Sequence, residues 1–238
     1  MSDGPDDFAP NAEVYGPGYF EKMYRPHWFL RNRRKYVERD AALLRIVRPT
    51  PFARVLEVGS ARGDTAFFLA PLVKEVVGVD AAPAAVAAAR ARLEVLGQPN
   101  VRFEKADARD LSAVPGGPFD VVLLADFVEH ALDGVLVPCL ESARRVLAAG
   151  GALAIYTPNA THWAERLKAA VPFLQQEDHI AVRPDARVVD LVARAGFAVE
   201  DLFFSSSPYP LLGAIDRAFG MVGLCRFRTC LRAVVSRP

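Results

Sequence analysis

An apolar run that ends on an acidic residue, with small residues recurring at alternate positions just after it, constrains this chain more than any other feature. It spans residues 54–63, Arg-Val-Leu-Glu-Val-Gly-Ser-Ala-Arg-Gly, with Glu57 near the end of the run and Gly59, Ala61 and Gly63 beyond it. A helical stretch starts directly at Asp64. Strand, tight loop and helix in that order bring the loop to the carboxyl edge of a sheet, where open α/β folds bind ligands. Small residues let the backbone pass close to such a ligand. Twenty-one residues past Gly59, a second apolar run, Val76-Val77-Gly78-Val79, ends in Asp80. An acid at that place can accept two hydrogen bonds from a ribose diol.

The spacing of the loop separates two cofactor classes. A dinucleotide fingerprint sets its third glycine three residues after the second, so that a helix N-terminus meets a pyrophosphate. Here the small residues fall at i, i+2 and i+4, and the helix begins with Asp64, which would repel a phosphate. A nucleoside without phosphates fits better.

Apolar runs and helical patterns alternate from there on. The pattern predicts strands at 54–58, 75–79, 101–106, 119–125 and 151–157, and helices at 64–72, 83–96, 134–148 and 185–195. Gly150-Gly151 supplies the turn out of the third of these helices, 134–148. Such alternation argues for a parallel sheet covered on both faces. A helical segment is expected over about 161–176, and strands over 197–204 and 230–235. Upstream, residues 1–14 read as a disordered or draped arm, and 19–48 as aromatic, basic and helical, ended by Pro49 and Pro51.

At 238 residues, 52% of them hydrophobic, the chain can bury one complete α/β core. Its 29 basic and 28 acidic residues give net +1, so no overall field selects a polyanion, and no nucleic-acid partner is expected. Residues 22–39 are a local exception, with seven basic residues against Glu38 alone. Three cysteines, Cys139, Cys225 and Cys230, are too few for a disulfide framework and lack zinc-site pairing. The polar start of the chain has no signal-peptide core, and no apolar run approaches a membrane span, so a cytoplasmic protein is expected.

The stretch 54–63 resembles the first motif of the class I S-adenosylmethionine-dependent methyltransferases, and the ordered motifs after it extend the resemblance over about residues 50–205. Ala61 stands where that family usually has its middle glycine. Asn100-Val101-Arg102-Phe103-Glu104-Lys105-Ala106-Asp107-Ala108 resembles the third motif, and Phe119–Asp126 the fourth strand. Arg145-Val146-Leu147-Ala148-Ala149-Gly150-Gly151 resembles the family's helix-to-strand turn, with its usual Lys-Pro replaced by two alanines.

The resemblance implies a Rossmann-like, doubly wound, mostly parallel seven-stranded sheet with an antiparallel C-terminal edge strand and added N-terminal helices. Residues 1–49 would form an arm and helical lid, and 50–238 the methyltransferase domain. It implies S-adenosylmethionine bound by Glu57, Gly59, Ala61, Gly63, Asp80, Ala81, Asp107, Ala108 and Asp126, with Asp80 on the ribose and Asp107 and Ala108 on the adenine. The acceptor is expected to be a small molecule methylated on oxygen, and the protein a monomer or homodimer.

Methyl transfer from a sulfonium needs an aligned acceptor lone pair, deprotonated where necessary. His130, just past the fourth strand, and His179 are candidates for that work, since imidazole titrates near neutral pH. Asp126, Glu129, His130 and His179 together resemble the carboxylate–carboxylate–His–His pattern of metal-dependent methyltransferases acting on catechols or on RNA 3′ ends. A divalent cation there would lower the pKa of an acceptor hydroxyl. Tyr19, Tyr24, Trp28 and Arg33 are candidates for acceptor contacts from the N-terminal lid. Competing readings are an RNA or protein methyltransferase, prompted by the basic stretch, and a non-catalytic nucleoside-binding module. A nucleotide-dependent oxidoreductase is disfavoured by the loop spacing.

Overall fold

The structure, a computed structural model, describes residues 33–170, 179–207 and 226–236, together with positions 213, 216 and 218. In chain order the elements are α1 (Arg33–Val47), β1 (Arg54–Val58), α2 (Asp64–Leu69), β2 (Glu75–Asp80), α3 (Pro83–Leu96), β3 (Val101–Lys105) and β4 (Phe119–Ala125). They continue with α4 (Asp133–Val146), β5 (Leu147–Pro158), α5 (Trp163–Ala170), α6 (Asp185–Arg194), β6 (Phe197–Ser205) and β7 (Arg228–Val235).

The β-branched runs pair into one seven-stranded sheet in the order β3-β2-β1-β4-β5-β7-β6. The first five strands are parallel, and β7 runs antiparallel to both β5 and β6. The antiparallel C-terminal strand thus closes this margin as a hairpin, with β6 outermost. Strand order reverses between β1 and β4, whose registers align Leu56 with Val122 and Glu57 with Leu123. That switch point is where a doubly wound sheet opens a crevice at its carboxyl edge.

Successive residues on each strand feed two separate cores. Leu56, Val58, Val77, Val79, Val122 and Leu124 face α4 and α6, while Val55, Val76, Val121 and Leu123 face α1, α2 and α3. Each such buried side chain contributes about 1.5–3 kcal/mol. Helix α1 belongs fully to the second core through Ala42, Leu43, Ile46 and Val47, although the expected domain boundary falls just after it. Its last carbonyls, those of Ile46 and Val47, accept from Arg232 Nη1 on β7. Arg45 pairs with Asp201 and Arg48 with Glu200, binding the same helix to β6.

Two departures of the element boundaries from the sequence expectation have a clear local cause. The helix expected over 64–72 tightens to a 3₁₀ turn at Ala70–Leu72, where Pro71 offers no N–H. The helix expected over 134–148 ends at Val146, because Leu147 already pairs with Phe119 on β4. The pairing then shifts register, and Gly150 absorbs the shift at φ 78°. Of the segment 161–176, α5 accounts for Trp163–Ala170, and residues 171–176 lie outside the described residues. Among the described residues no helix is long and apolar enough to cross a membrane.

One aromatic ring explains two of the glycines. Phe103 on β3 lies edge-on to Phe67 with its centroid 5.5 Å away, filling the space between β2 and the loop after β1. A Cβ at Gly78 would come within 2.6 Å of the Phe103 ring, and one at Gly63 would strike the same ring near its tip. Gly63 also sits at φ 83°, which costs an L-residue roughly 1–2 kcal/mol. Gly63→Ala is therefore expected to destabilise the protein by about 3 kcal/mol, overpacking included. In a thermal melt that is a drop of roughly 6–12 °C for a chain of this size. An unchanged melting temperature would mean that Phe103 yields freely.

Candidate active site

Three loops at the carboxyl edge of the sheet build the site. After β1 the chain turns through Gly59, Ala61 and Gly63 at φ 73°, 46° and 83°. A Cβ at Gly59 would lie 2.6 Å from the Phe127 ring, which therefore covers this loop from the β4 side. Ala61 takes the left-handed conformation without being glycine, so the turn is held by its surroundings. The holder is Asp80 at the end of β2. Its Oδ2 accepts from the Ala61 N–H at 3.0 Å and its Oδ1 from the Ala82 N–H at 2.9 Å. Burial raises the Asp80 pKa, against these two donors and against the nearby His130.

Beneath the loop Glu57 is 2% exposed, and its Oε2 has no hydrogen-bond partner among the described residues. Burial pushes its pKa up to about 8, against the pull of Arg39 and a hydrogen bond from Thr65. Arg39 on α1 donates through Nη2 to Thr65 Oγ1 at 2.8 Å and through Nε to Asp126 Oδ2 at 2.9 Å. The other Asp126 oxygen accepts from Arg228 Nη1 at 2.9 Å. Asp126 itself stands at φ 53°, just past β4, with its N–H donated to the Tyr156 carbonyl. Both guanidinium groups lie near the Tyr156 ring, 5.9 and 5.4 Å from its centroid.

A 3₁₀ turn, Val128–His130, follows. Glu129 is 1% exposed; its Oε2 accepts from Thr157 Oγ1 at 2.9 Å, and Arg228 approaches its Oε1 at 3.5 Å. Burial, then the Asp126 charge, raise the Glu129 pKa, with His130 and Arg228 opposing. The rings of His130 and His179 meet edge to face with centroids 5.0 Å apart. Glu129, His130 and His179 each offer one ligand atom within 4.8 Å of the others.

The structure therefore gathers Glu57, Gly59, Ala61, Gly63, Asp80, Asp126, Glu129, His130 and His179 along the carboxyl ends of β1, β2 and β4. Of the four residues matched to a metal pattern it groups three; both Asp126 oxygens are taken by arginines, so that carboxylate stands apart. Asp107, beyond the end of β3, is tied to Arg109 at 2.6 Å, which holds its carboxyl below the usual range despite burial. Ala108 is buried in the first core, and Ala81 sits between Asp80 and the start of α3. Tyr19, Tyr24 and Trp28 lie outside the described residues, and Arg33 is described only as the first residue of α1.

Three site arginines escape the sequence reading: Arg39, Arg228 and Arg183, whose Nη1 donates to the Val128 carbonyl in the turn that carries His130. Arg39 has a usable signal: it precedes Leu43 and Ile46 by four and seven residues, which puts a charge on the buried face of α1. Arg228 and Arg183 have none, because their partners lie about 50–100 residues away in the chain.

Residues 55–151 match the family described as "Methyltransferase domain". The chain is 29% identical over 203 residues to a "Probable S-adenosylmethionine-dependent methyltransferase" of Mycolicibacterium smegmatis, covering 83% of this chain and 70% of that protein. It is 36% identical over 113 residues to a ubiquinone biosynthesis O-methyltransferase of Cereibacter sphaeroides, covering 47% of this chain and 44% of the relative. The chain thus spans under half of the ubiquinone enzyme's length. Among solved structures, the magnesium protoporphyrin IX methyltransferase of Synechocystis, with bound S-adenosylhomocysteine, shares the fold at a TM-score of 0.64. The identity there is 18%, with 96% of this chain and 94% of that one covered.

Proposed function

We propose that the chain, whose residues 55–151 match a methyltransferase domain, is a class I S-adenosylmethionine-dependent methyltransferase that methylates a hydroxyl oxygen of a small-molecule acceptor. The cluster of Glu129, His130 and His179 beside the cofactor loop carries this reading. Positioning alone can supply about 7–11 kcal/mol of such an in-line displacement. What remains is to remove the hydroxyl proton, and two imidazoles facing one another at the end of β4 suit that task. An O-methyltransferase among the relatives points the same way.

On the cofactor side, Asp80 would bind the ribose diol and Asp107 the adenine amino group. Glu57, buried with a carboxylate oxygen unpartnered among the described residues, would receive the α-ammonium group, and Arg39 beside it the α-carboxylate. A carboxylate and two imidazole nitrogens also fit Mn²⁺, Fe²⁺ or Zn²⁺, with Glu129, His130 and His179 as the ligands. A cation bound there would make an acceptor hydroxyl more acidic. The lid residues Tyr19, Tyr24, Trp28 and Arg33 would cover the acceptor.

Calorimetric titration of the EDTA-treated chain with S-adenosylhomocysteine, NADH and then Zn²⁺ or Mn²⁺ tests the reading. Binding of the homocysteine nucleoside with none of NADH is expected; absence of nucleoside binding overturns the reading. With an acceptor identified from a panel of phenols and carboxylic acids, His130→Ala is expected to lower methyl transfer about 10²–10⁴-fold. Its affinity for S-adenosylhomocysteine should stay within about threefold of wild type. Transfer that survives the substitution intact would remove His130 from the chemistry.

A further inference from the structure

Arg183 is 8% exposed, and a guanidinium is costly to bury unless its donors are satisfied. All five of its N–H groups can be accounted for. Nη1 donates to the Val128 carbonyl at 2.7 Å and the Ala181 carbonyl at 2.9 Å. Nη2 donates to the Ala131 carbonyl at 2.7 Å and to Asp133 Oδ1 at 2.6 Å, and Nε reaches the same Asp133 oxygen at 3.0 Å.

The placement of these acceptors matters. Val128 and Ala131 bracket Glu129 and His130, and a single 3₁₀ turn leaves such carbonyls without α-helical partners. Ala181 follows His179 by two residues. One side chain thus grips both sides of the turn carrying His130 and, with the same fork, the segment carrying His179. Backbone links support the second grip: the Ala181 N–H donates to the Glu129 carbonyl at 2.9 Å, and Arg183 bridges to Asn159. Along the chain the two histidines are 49 residues apart. We infer that Arg183 is the positioning residue that fixes the edge-to-face geometry of His130 and His179. The inference rests on the proposed reading in which those imidazoles face the acceptor. A lysine would keep the charge but has no planar fork to reach four acceptor groups at once.

The test is a long-range ¹H–¹⁵N imidazole spectrum of the full chain labelled at histidine, its four signals assigned by single His→Gln variants. Arg183→Gln is expected to shift the His130 and His179 signals and abolish the contact between their rings. The signal of His162, which is buried against Asp216 at 3.1 Å, should stay in place. Affinity for S-adenosylhomocysteine should stay within about threefold. Arg187→Gln removes another cation from Asp133 without touching the turn, and should leave all four signals unchanged. Arg183→Lys should shift the same two signals by less, and it decides the matter if the glutamine variant does not fold. Unchanged His130 and His179 signals overturn the inference, and so does a loss of all four signals together with nucleoside affinity. Failure of the wild-type chain to bind S-adenosylhomocysteine would instead reject the methyltransferase reading, and the imidazole result would stand apart from it.

Discussion

Asp80→Ala is expected to weaken S-adenosylhomocysteine binding at least about 100-fold, the largest single effect on the cofactor site. Each Asp80 oxygen already accepts one backbone N–H, from Ala61 or Ala82, and each keeps a lone pair for a ribose hydroxyl. Hydrogen bonds to a charged acceptor contribute about 1.5–3 kcal/mol apiece, so losing two accounts for a factor of 100 or more. The loop would suffer as well, because Ala61 at φ 46° is held through the same carboxylate. Asp80→Asn separates the two effects: it preserves one acceptor and much of the shape, and should lose roughly tenfold. Calorimetry of the two variants checks this. A loss under fivefold in the alanine variant would mean that the ribose is held elsewhere.

Glu57 gives the second large effect, and it depends on pH. Its folded-state pKa of about 8 lies above the ordinary 4.5. Below 4.5 the carboxyl is protonated in both the folded and unfolded chain and costs nothing. As pH rises, the unfolded chain loses the proton first, so stability falls from about 4.5 until the folded group also ionises near 8. At pH 7 the gap of about 2.5 units is worth on the order of 3 kcal/mol. Glu57→Gln should remove this slope, which urea unfolding of both proteins at pH 5 and pH 7 would reveal.

Cofactor binding carries the opposite sign. An ammonium group settling on Glu57 favours the ionised carboxylate, so binding releases a proton whenever the free site is protonated. Affinity for S-adenosylhomocysteine is therefore expected to climb by up to tenfold per pH unit between about 6 and 7.5 and to level off above 8. Glu57→Gln should flatten the curve. A wild-type affinity independent of pH would show that the ammonium group lies away from Glu57.

The sheet and the turn after β1 were readable because both depend on short-range patterns. Short continuous apolar runs such as Val76-Val77-Gly78-Val79, rich in β-branched residues and set between helical stretches, read as strands buried on both faces, and Gly59, Ala61 and Gly63 announce a backbone turn through their size alone. His130 was readable as a residue just past a strand end. Other parts were not, for a common physical reason. The ion pairs that occupy Asp126 join it to Arg39 and Arg228 across 87 and 102 residues. No periodicity encodes a contact of that span, so the sequence could offer Asp126 as a ligand alongside Glu129 while the folded chain commits it to two cations. Arg183 is a similar case. Its neighbours in sequence say nothing of the turn it holds, whose residues precede it by about 50 positions.

The position of β7 bears on how the molecule is made. This strand lies between β5 and β6, and among the described residues β6 has no other partner in the sheet. On the ribosome β6 emerges first and must wait, unpaired, until residues 228–235 follow it out of the exit tunnel. Helix α1 completes its polar contacts late too, since its terminal carbonyls are met by Arg232 and its Arg45 by Asp201 of β6. The five parallel strands and the apolar face of α1 can assemble during synthesis, whereas the helix gains its carbonyl and ion-pair partners at this margin only when β6 and β7 arrive. Birth order and pairing order are therefore inverted at this margin, and a nascent chain halted before residue 228 would leave β6 exposed to chaperones.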